Sequence, residues 1–396
     1  MRKIPPATEA DGAVTVAMSD AAISIPFEGG LVLLDERGQR LFAYNTSAAM
    51  IWDLHEQGLG SEEIGAALAE AYGIDIAVAT ADAGTMVARW ERLGLLGGPI
   101  AAARRRKEPL PKPPVAGAPT IVTHYCLQGR VCRIAIAEPQ IRDHVEAALR
   151  VFACDPAPAD VTIEVATVDG PEPYKLLADG QEQFRLATAP EAVGAVFQYL
   201  LQGVRAGTDW LALIHGAAVV APDGRAILLP GSGGSGKSTL AAWLSQRGYG
   251  YLADDMIALR APDGAAFSWP MPHSVKRGSW PLLAPVFPAL AWAPVERIHE
   301  RELKFLAAPA ADWERPPTPV GAIVFPRYEP FPQAPITALA PIHVIGHLFG
   351  DRLWLGGALT RARVRAFLAW VAEIPAFAIE YRTLDEAEAL LATVLG

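Results

Sequence analysis

One run of twenty residues constrains this chain more than any other. Ala226-Ile227-Leu228-Leu229 is a continuous apolar stretch of strand length. Gly231-Ser232-Gly233-Gly234-Ser235-Gly236-Lys237-Ser238 comes next with the spacing G-x-x-x-x-G-K-[ST], and Thr239 to Ser245 continues with helical character. A buried strand that turns through glycines into a helix lets successive backbone N–H groups face a phosphate, and the helix N-terminus adds positive potential. Lys237 then reaches the β and γ phosphates, Ser238 offers a hydroxyl to Mg2+, and Gly231, Ser232, Gly233, Gly234, Ser235, Gly236 and Thr239 complete the cradle. A Gly/Ser turn that only caps a helix is the plainer alternative, and the flanking strand and helix argue against it. The expected ligands are ATP and Mg2+, on an α/β fold.

The residues after the loop narrow the chemistry. A helix from Lys237 to about Arg247 runs away from the phosphates for roughly 16 Å. Gly248 ends it, and Gly250-Tyr251-Leu252-Ala253 returns as a strand over roughly 13 Å. Asp254 and Asp255 therefore arrive at the carboxyl edge of the sheet, beside the loop. One carboxylate there can hold Mg2+ while the other accepts the proton of an incoming hydroxyl, although an Asp-Asp turn or helix cap is the plainer reading of the pair. His215 lies in the apolar run Leu211 to Val220, one strand upstream, as a core histidine or as a group that orients the nucleophile or base. Lys276 and Arg277 close Trp269 to Gly278 as a clamp for phosphate or an acidic peptide, or as a solvated basic turn. The transporter-motor signature LSGGQ and the guanine motif NKxD are both missing.

At 396 residues the chain exceeds one ordinary core, so the phosphate loop belongs to one domain of at least two. Hydrophobic residues at 51% and charged residues at 19% support sizeable cores. A net charge of −9 disfavours nucleic acid as a partner, and no stretch is apolar enough to span a membrane. Cys126, Cys132 and Cys154 lack metal spacing and a disulfide framework, which points to the cytoplasm. Residues 1–100 carry their own pattern: apolar alternation at Ile23 to Ile25, Leu31 to Leu34 and Leu41 to Tyr44 predicts a β-meander. Three helices come after it, opening near Asn45 or Thr46, at Ser61 and at about Ala77, the last running to Leu93 and stopped by Gly97-Gly98-Pro99. This is a small α+β, winged-helix-like unit. Arg104 to Lys107 and the prolines through Pro119 make residues 101–119 a basic, semi-rigid linker, and residues 120–396 form the second domain. Its leading part reads as strands at Ile121, Val131 and Val161 with helices near Ile141 and Ala192, and Pro285 to Pro341 as ordered irregular structure.

Ile214-His215-Gly216-Ala217, Gly231 to Ser238 and Leu252-Ala253-Asp254-Asp255 together resemble the catalytic core of HPr kinase/phosphorylase, in order and close in spacing. The resemblance implies an α/β P-loop kinase domain, an ATP-dependent serine kinase, in which His215, Lys237, Ser238 and Asp254 serve transfer and Asp255 supports metal or geometry. The family's second signature, an Arg-Gly-x-Gly loop that engages the protein substrate, has no counterpart; Lys276 and Arg277 occupy that general place. Leu33-Leu34-Asp35, Tyr44-Asn45-Thr46-Ser47-Ala48, Ile51-Trp52 and Gly94-Leu95-Leu96 resemble the PqqD-like fold, a peptide-recognition element of ribosomal-peptide modification. That resemblance implies a precursor peptide that adds as a strand to the β edge. The two together imply a tailoring kinase for a captured precursor peptide or small protein, as in lasso-peptide pathways, working with other peptide-modifying enzymes; monomer and oligomer both fit this reading. An ATP-switched peptide chaperone and a small-molecule kinase with a regulatory front domain are the alternatives.

Overall fold

The computed structural model describes residues 22–96, 119–298, 301–350 and 353–395. Contacts divide the chain into two compact units, Met1–Arg104 and Arg105–Gly396. The expected basic linker lies outside the described residues, apart from its last residue, Pro119.

In the first unit, β1 (Ile23–Phe27), β2 (Gly30–Asp35) and β3 (Arg40–Tyr44) form an antiparallel meander with β2 central and buried along its length. The helices α1 (Thr46–Glu56), α2 (Ser61–Tyr72) and α3 (Ile76–Arg92) come next. Their starts are set by local polar groups: Asn45 Oδ1 accepts the Ala48 N–H at 3.1 Å, Glu63 accepts the Gly60 N–H at 2.9 Å, and Asp75 accepts from Ala77 and Val78. Leu93 caps α3, where the expected helix ends, and Gly94 turns the chain at φ +71°; Gly97-Gly98-Pro99 lies outside the described residues. Trp90 fills the centre, edge-on to Tyr44 and Trp52 at 5.6 and 5.0 Å between ring centroids.

The second unit opens with β4 (Ile121–Leu127), β5 (Arg130–Ile136), α4 (Pro139–Leu149), β6 (Val161–Thr167), β7 (Tyr174–Ala178), β8 (Gln181–Leu186) and α5 (Ala189–Val204). The five strands make one sheet in chain order, with only β5 and β6 parallel. Its core continues into Trp210, Leu213, Trp269 and Met271, so this part is built into the unit rather than standing as a separate subdomain.

The remaining elements are β9 (Trp210–Ile214), β10 (Gly216–Val220), β11 (Ala226–Pro230), α6 (Lys237–Ser245), β12 (Gly250–Ala253), β13 (Ile257–Arg260), β14 (Ala266–Phe267), β15 (His273–Lys276), α7 (Trp280–Leu283), β16 (Glu296–Ile298), β17 (Arg301–Leu306), β18 (Val320–Tyr328), β19 (Ile336–Ala338), α8 (Pro341–Phe349), β20 (Leu353–Trp354), α9 (Arg361–Glu373), β21 (Ala376–Tyr381) and α10 (Leu384–Leu395). A six-stranded mixed sheet in the order β12-β10-β11-β18-β21-β19 holds the glycine-rich loop Gly231 to Gly236; β11, β18 and β21 are parallel. β13 and β9 lie in a second, antiparallel sheet, β14-β13-β9-β20, and β15-β17-β16 form a third. The unit is therefore α/β with mixed sheets. Pro285 to Pro341 is more regular than its composition suggests, since it contributes β18, an interior strand. Pro326 is tolerated in β18 because pairing with β11 ends at Ile323, and the proline faces a partner only on the β21 side. No helix among the described residues is long and apolar enough to cross a membrane.

Candidate nucleotide site

β11 is buried along its length and delivers the chain to Gly231 at the carboxyl edge of the six-stranded sheet. Gly231, Gly234 and Gly236 take φ values of +141°, +97° and +99°, a winding that glycine adopts without strain. Gly236 has a second constraint: a Cβ there would lie 2.6 Å from the hydroxyl of Tyr381, the last residue of β21. Ser232, Gly233 and Gly234 are exposed, whereas Lys237 is buried and donates to the Ser232 carbonyl at 3.2 Å, so its ammonium folds back over the loop. The Ser235 hydroxyl is buried and has no hydrogen-bond partner. A buried, unpartnered hydroxyl inside a glycine-wound loop over a lysine fits an anion with several acceptor oxygens.

α6 begins at Lys237 and ends at Ser245, two residues short of the expected Arg247, and Gly248 turns the chain at φ +91° into β12. The acids arrive where the length arithmetic places them, but in unlike environments. Ser238 Oγ donates to Asp254 Oδ1 at 2.8 Å, and the Asp255 N–H donates to the same oxygen at 3.0 Å. Asp254 Oδ2 is buried without a partner. Burial, and then the neighbouring charge of Asp255, push the Asp254 carboxyl up to about 7, against the pull of Ser238, the Asp255 amide and Lys237. Asp255 is exposed and left-handed at φ +65°. The resemblance gives Asp254 to transfer and Asp255 to metal or geometry, beside Ser238 as a cation ligand; the fold joins Ser238 by hydrogen bond to Asp254. An orphaned carboxylate oxygen beside a hydroxyl, with Lys237 folded over the neighbouring loop, fits Mg2+, which takes one or two carboxylates and leaves the rest of its shell to water and other oxygen ligands. Among the described residues, no group of three or more His, Cys, Asp or Glu stands ready to hold a metal unaided.

His215 does not lie inside a strand. It is the single residue between β9 and β10, where the chain crosses from the antiparallel sheet to the six-stranded sheet. Its Nδ1 lies 2.9 Å from the Asp255 carbonyl, which also accepts the Gly216 N–H at 3.4 Å. A carbonyl only accepts, so this contact puts the proton of the neutral ring on Nδ1 and leaves Nε2 its lone pair. His215 therefore anchors the strained turn that presents Asp255.

Lys276 and Arg277 are exposed at the end of β15, and Arg277 is engaged with Glu302 at 2.6 Å. The turn they open touches the site through a different residue: Ser279 Oγ lies 2.7 Å from Thr239 Oγ1, on the first turn of α6. Ser279 and Tyr381 carry no motif and become visible only through the fold.

The first unit holds a different kind of site. β1 and β3 are the outer strands of its sheet, and β1 contains Pro26, which lacks a backbone donor. Arg40, at the start of β3, binds Asp35 at 2.6 Å and the Leu93 carbonyl at the end of α3 at 2.8 Å, fixing strand and helix together. Residues 30–96 match the family described as coenzyme PQQ synthesis protein D (PqqD). They form a PqqD-like domain. The match ends there and does not extend into the second unit. Among solved structures, the chain is similar to one described as TbiB1 in complex with the TbiA(beta) leader peptide, at 28% identity over 21% of this chain and 95% of that one, with a TM-score of 0.20. No curated protein matches the chain. Of the two outer strands of the PqqD-like domain, β3 is the edge with a complete set of backbone donors and acceptors.

Proposed function

We propose that this chain is an ATP-dependent kinase that phosphorylates a serine, or another hydroxyl, of a ribosomally made precursor peptide held by its PqqD-like domain. The observation that carries the reading is the Ser238–Asp254 hydrogen bond at 2.8 Å, with the second Asp254 oxygen buried and unpartnered beside a glycine-wound loop and Lys237. A glycine loop alone binds phosphate; a loop joined to a returning acid suits phosphoryl transfer.

Each residue has a role in this reading. The loop amides and Lys237 hold the phosphates in line. Ser238 and Asp254 would hold Mg2+, whose charge offsets the charge of the transferring phosphoryl group. Asp255, exposed on the same turn, accepts the proton of the incoming hydroxyl, and His215 fixes its backbone. Asp and Asn tolerate left-handed backbone, so Asp255→Asn removes the base and keeps the turn. The PqqD-like domain supplies β3, an outer strand of its sheet among the described residues, to which a peptide backbone can add, raising its concentration near the kinase unit.

The test is incubation of the full-length protein with Mg-ATP and the product of any short reading frame found near its gene, read by mass spectrometry. Addition of one phosphate to a hydroxyl residue supports the proposal. Nucleotide hydrolysis with an unmodified peptide, or transfer to a free metabolite instead, contradicts it.

A further inference from the structure

The sheet edge that carries the phosphate loop has two flanks. β10 and β12 lie on one side of β11 and bring His215, Asp254 and Asp255. β18 and β21 lie on the other side, parallel to β11, so their carboxyl ends open on the same edge. Tyr381 ends β21 with its ring buried and its hydroxyl against Gly236. Tyr328 ends β18 directly opposite Tyr381 in register, the two rings 6.4 Å apart between centroids and inclined at 73°. Unlike Tyr381, Tyr328 is 58% exposed, and Phe331 just beyond it is 79% exposed.

The loop that presents these rings is tied down. The Glu329 N–H donates to the Tyr381 carbonyl at 2.9 Å, and the Phe331 N–H to Glu329 Oε1 at 3.4 Å. The Gln333 N–H reaches Glu380 at 3.0 Å, and its side-chain amide reaches the Phe331 carbonyl at 3.2 Å. An anchored backbone with two aromatic side chains in solvent has the form of a surface kept for a flat, apolar ligand.

Resting on the nucleotide reading of the phosphate loop, we infer that Tyr328 and Phe331 form the platform on which the purine base stacks. Direction is the first argument. The cation that Ser238 and Asp254 would hold, with Asp255 beside it as the base, sets the transferring end of the nucleotide on the β10–β12 flank, which leaves the base on the β18–β21 flank. Reach is the second. From the paired residues Leu228 and Ile323, β11 runs only to Pro230 while β18 runs on to Tyr328. Tyr328 therefore stands about 10 Å beyond Pro230, the end of β11, at roughly 3.3 Å per residue. The α-phosphate and ribose bridge a gap of this order between the base and the phosphates in the loop. Chemistry is the third: aromatic rings recognise the π-face common to all bases.

The experiment separates the base from the phosphates. Full-length protein is titrated by calorimetry with Mg-ATP and, separately, with Mg-tripolyphosphate, using the parent, Tyr328→Phe and the double variant Tyr328→Ala/Phe331→Ala. Both side chains are largely exposed, so the double variant is expected to melt with the parent. Stacking of one base predicts a loss of roughly 5- to 150-fold in ATP affinity for the double variant. Tripolyphosphate affinity should stay within about twofold, and Tyr328→Phe should bind ATP as the parent does. If the parent binds ATP and the double variant binds it equally well, or loses tripolyphosphate to the same degree, the base platform is wrong while the phosphate loop stands. A parent that binds neither ligand overturns the phosphate-loop reading and the platform with it.

Discussion

Replacing Asp254 by Asn is expected to change the stability of the nucleotide-free protein in a pH-dependent way, and the sign is set by the site. The carboxyl ordinarily titrates near 3.8 and is pushed up to about 7, first by burial and then by the charge of Asp255. Between those values the folded protein keeps a proton that the unfolded chain has released, so stability falls as pH rises, by up to about 1.4 kcal/mol per pH unit. From pH 5 to 7 the loss is about 2 to 3 kcal/mol, and above the folded value it levels off. Asn does not titrate, but its amide nitrogen in the place of Oδ2 is a buried donor without a partner, which costs about 1–3 kcal/mol at every pH. Whatever its offset at pH 5, the Asn protein should therefore gain on the parent by about 2 to 3 kcal/mol between pH 5 and pH 8. His273 has the opposite slope, because burial lowers it to about 3 and its stability is lost as pH falls. It is present in both proteins and cancels in the difference. Chemical denaturation of parent and variant at pH 5, 6, 7 and 8 measures that difference directly. A difference that is flat across the range would show that Asp254 is ionised at neutral pH and would refute the electrostatic picture of the site.

Three other outcomes are expected. Lys237→Ala removes the ammonium that folds over the loop, so Mg-ATP binding by calorimetry should become undetectable while the melting temperature changes little. Gly236→Ala forces a Cβ to 2.6 Å from the Tyr381 hydroxyl at φ +99°; unfolding should register a loss of about 1–3 kcal/mol, and Tyr381→Phe in the same chain should recover part of it. Deleting residues 1–114 should leave Mg-ATP binding intact and reduce peptide phosphorylation sharply at low peptide concentration, with saturating peptide restoring much of the rate in steady-state assays.

The site was legible in the sequence wherever short-range rules fix structure. Strand, loop and helix from Ala226 to Ser245 are contiguous, and Asp254 falls beside them because helix rise and strand rise leave the returning chain little choice. Asn45 and Asp75 start helices through contacts two or three residues away. Interactions that close over long separations stayed hidden. Tyr381 meets Gly236 only because β21 lies two strands from β11. The split at His215 was invisible because an apolar run does not say which sheet each half joins. Pro326 hid β18, since the rule that excludes proline from central strands fails where the neighbouring strand ends early. The β7–β8 hairpin was readable from Asp179-Gly180, both at positive φ, but the polar opening of β8 (Gln181, Glu182, Gln183) masked a strand at the sheet edge.

The most direct test of the account is phosphate transfer itself. Full-length protein, its Asp255→Asn variant and its Lys237→Ala variant are each given Mg-ATP labelled in the γ-phosphate and the neighbouring precursor peptide, and the peptide is sequenced by tandem mass spectrometry. The account predicts one labelled phosphate on a hydroxyl side chain with the parent, none with Lys237→Ala, and with Asp255→Asn a rate lower by orders of magnitude at nearly unchanged Mg-ATP affinity. Parent protein that binds Mg-ATP and peptide together yet leaves the peptide unlabelled would contradict it.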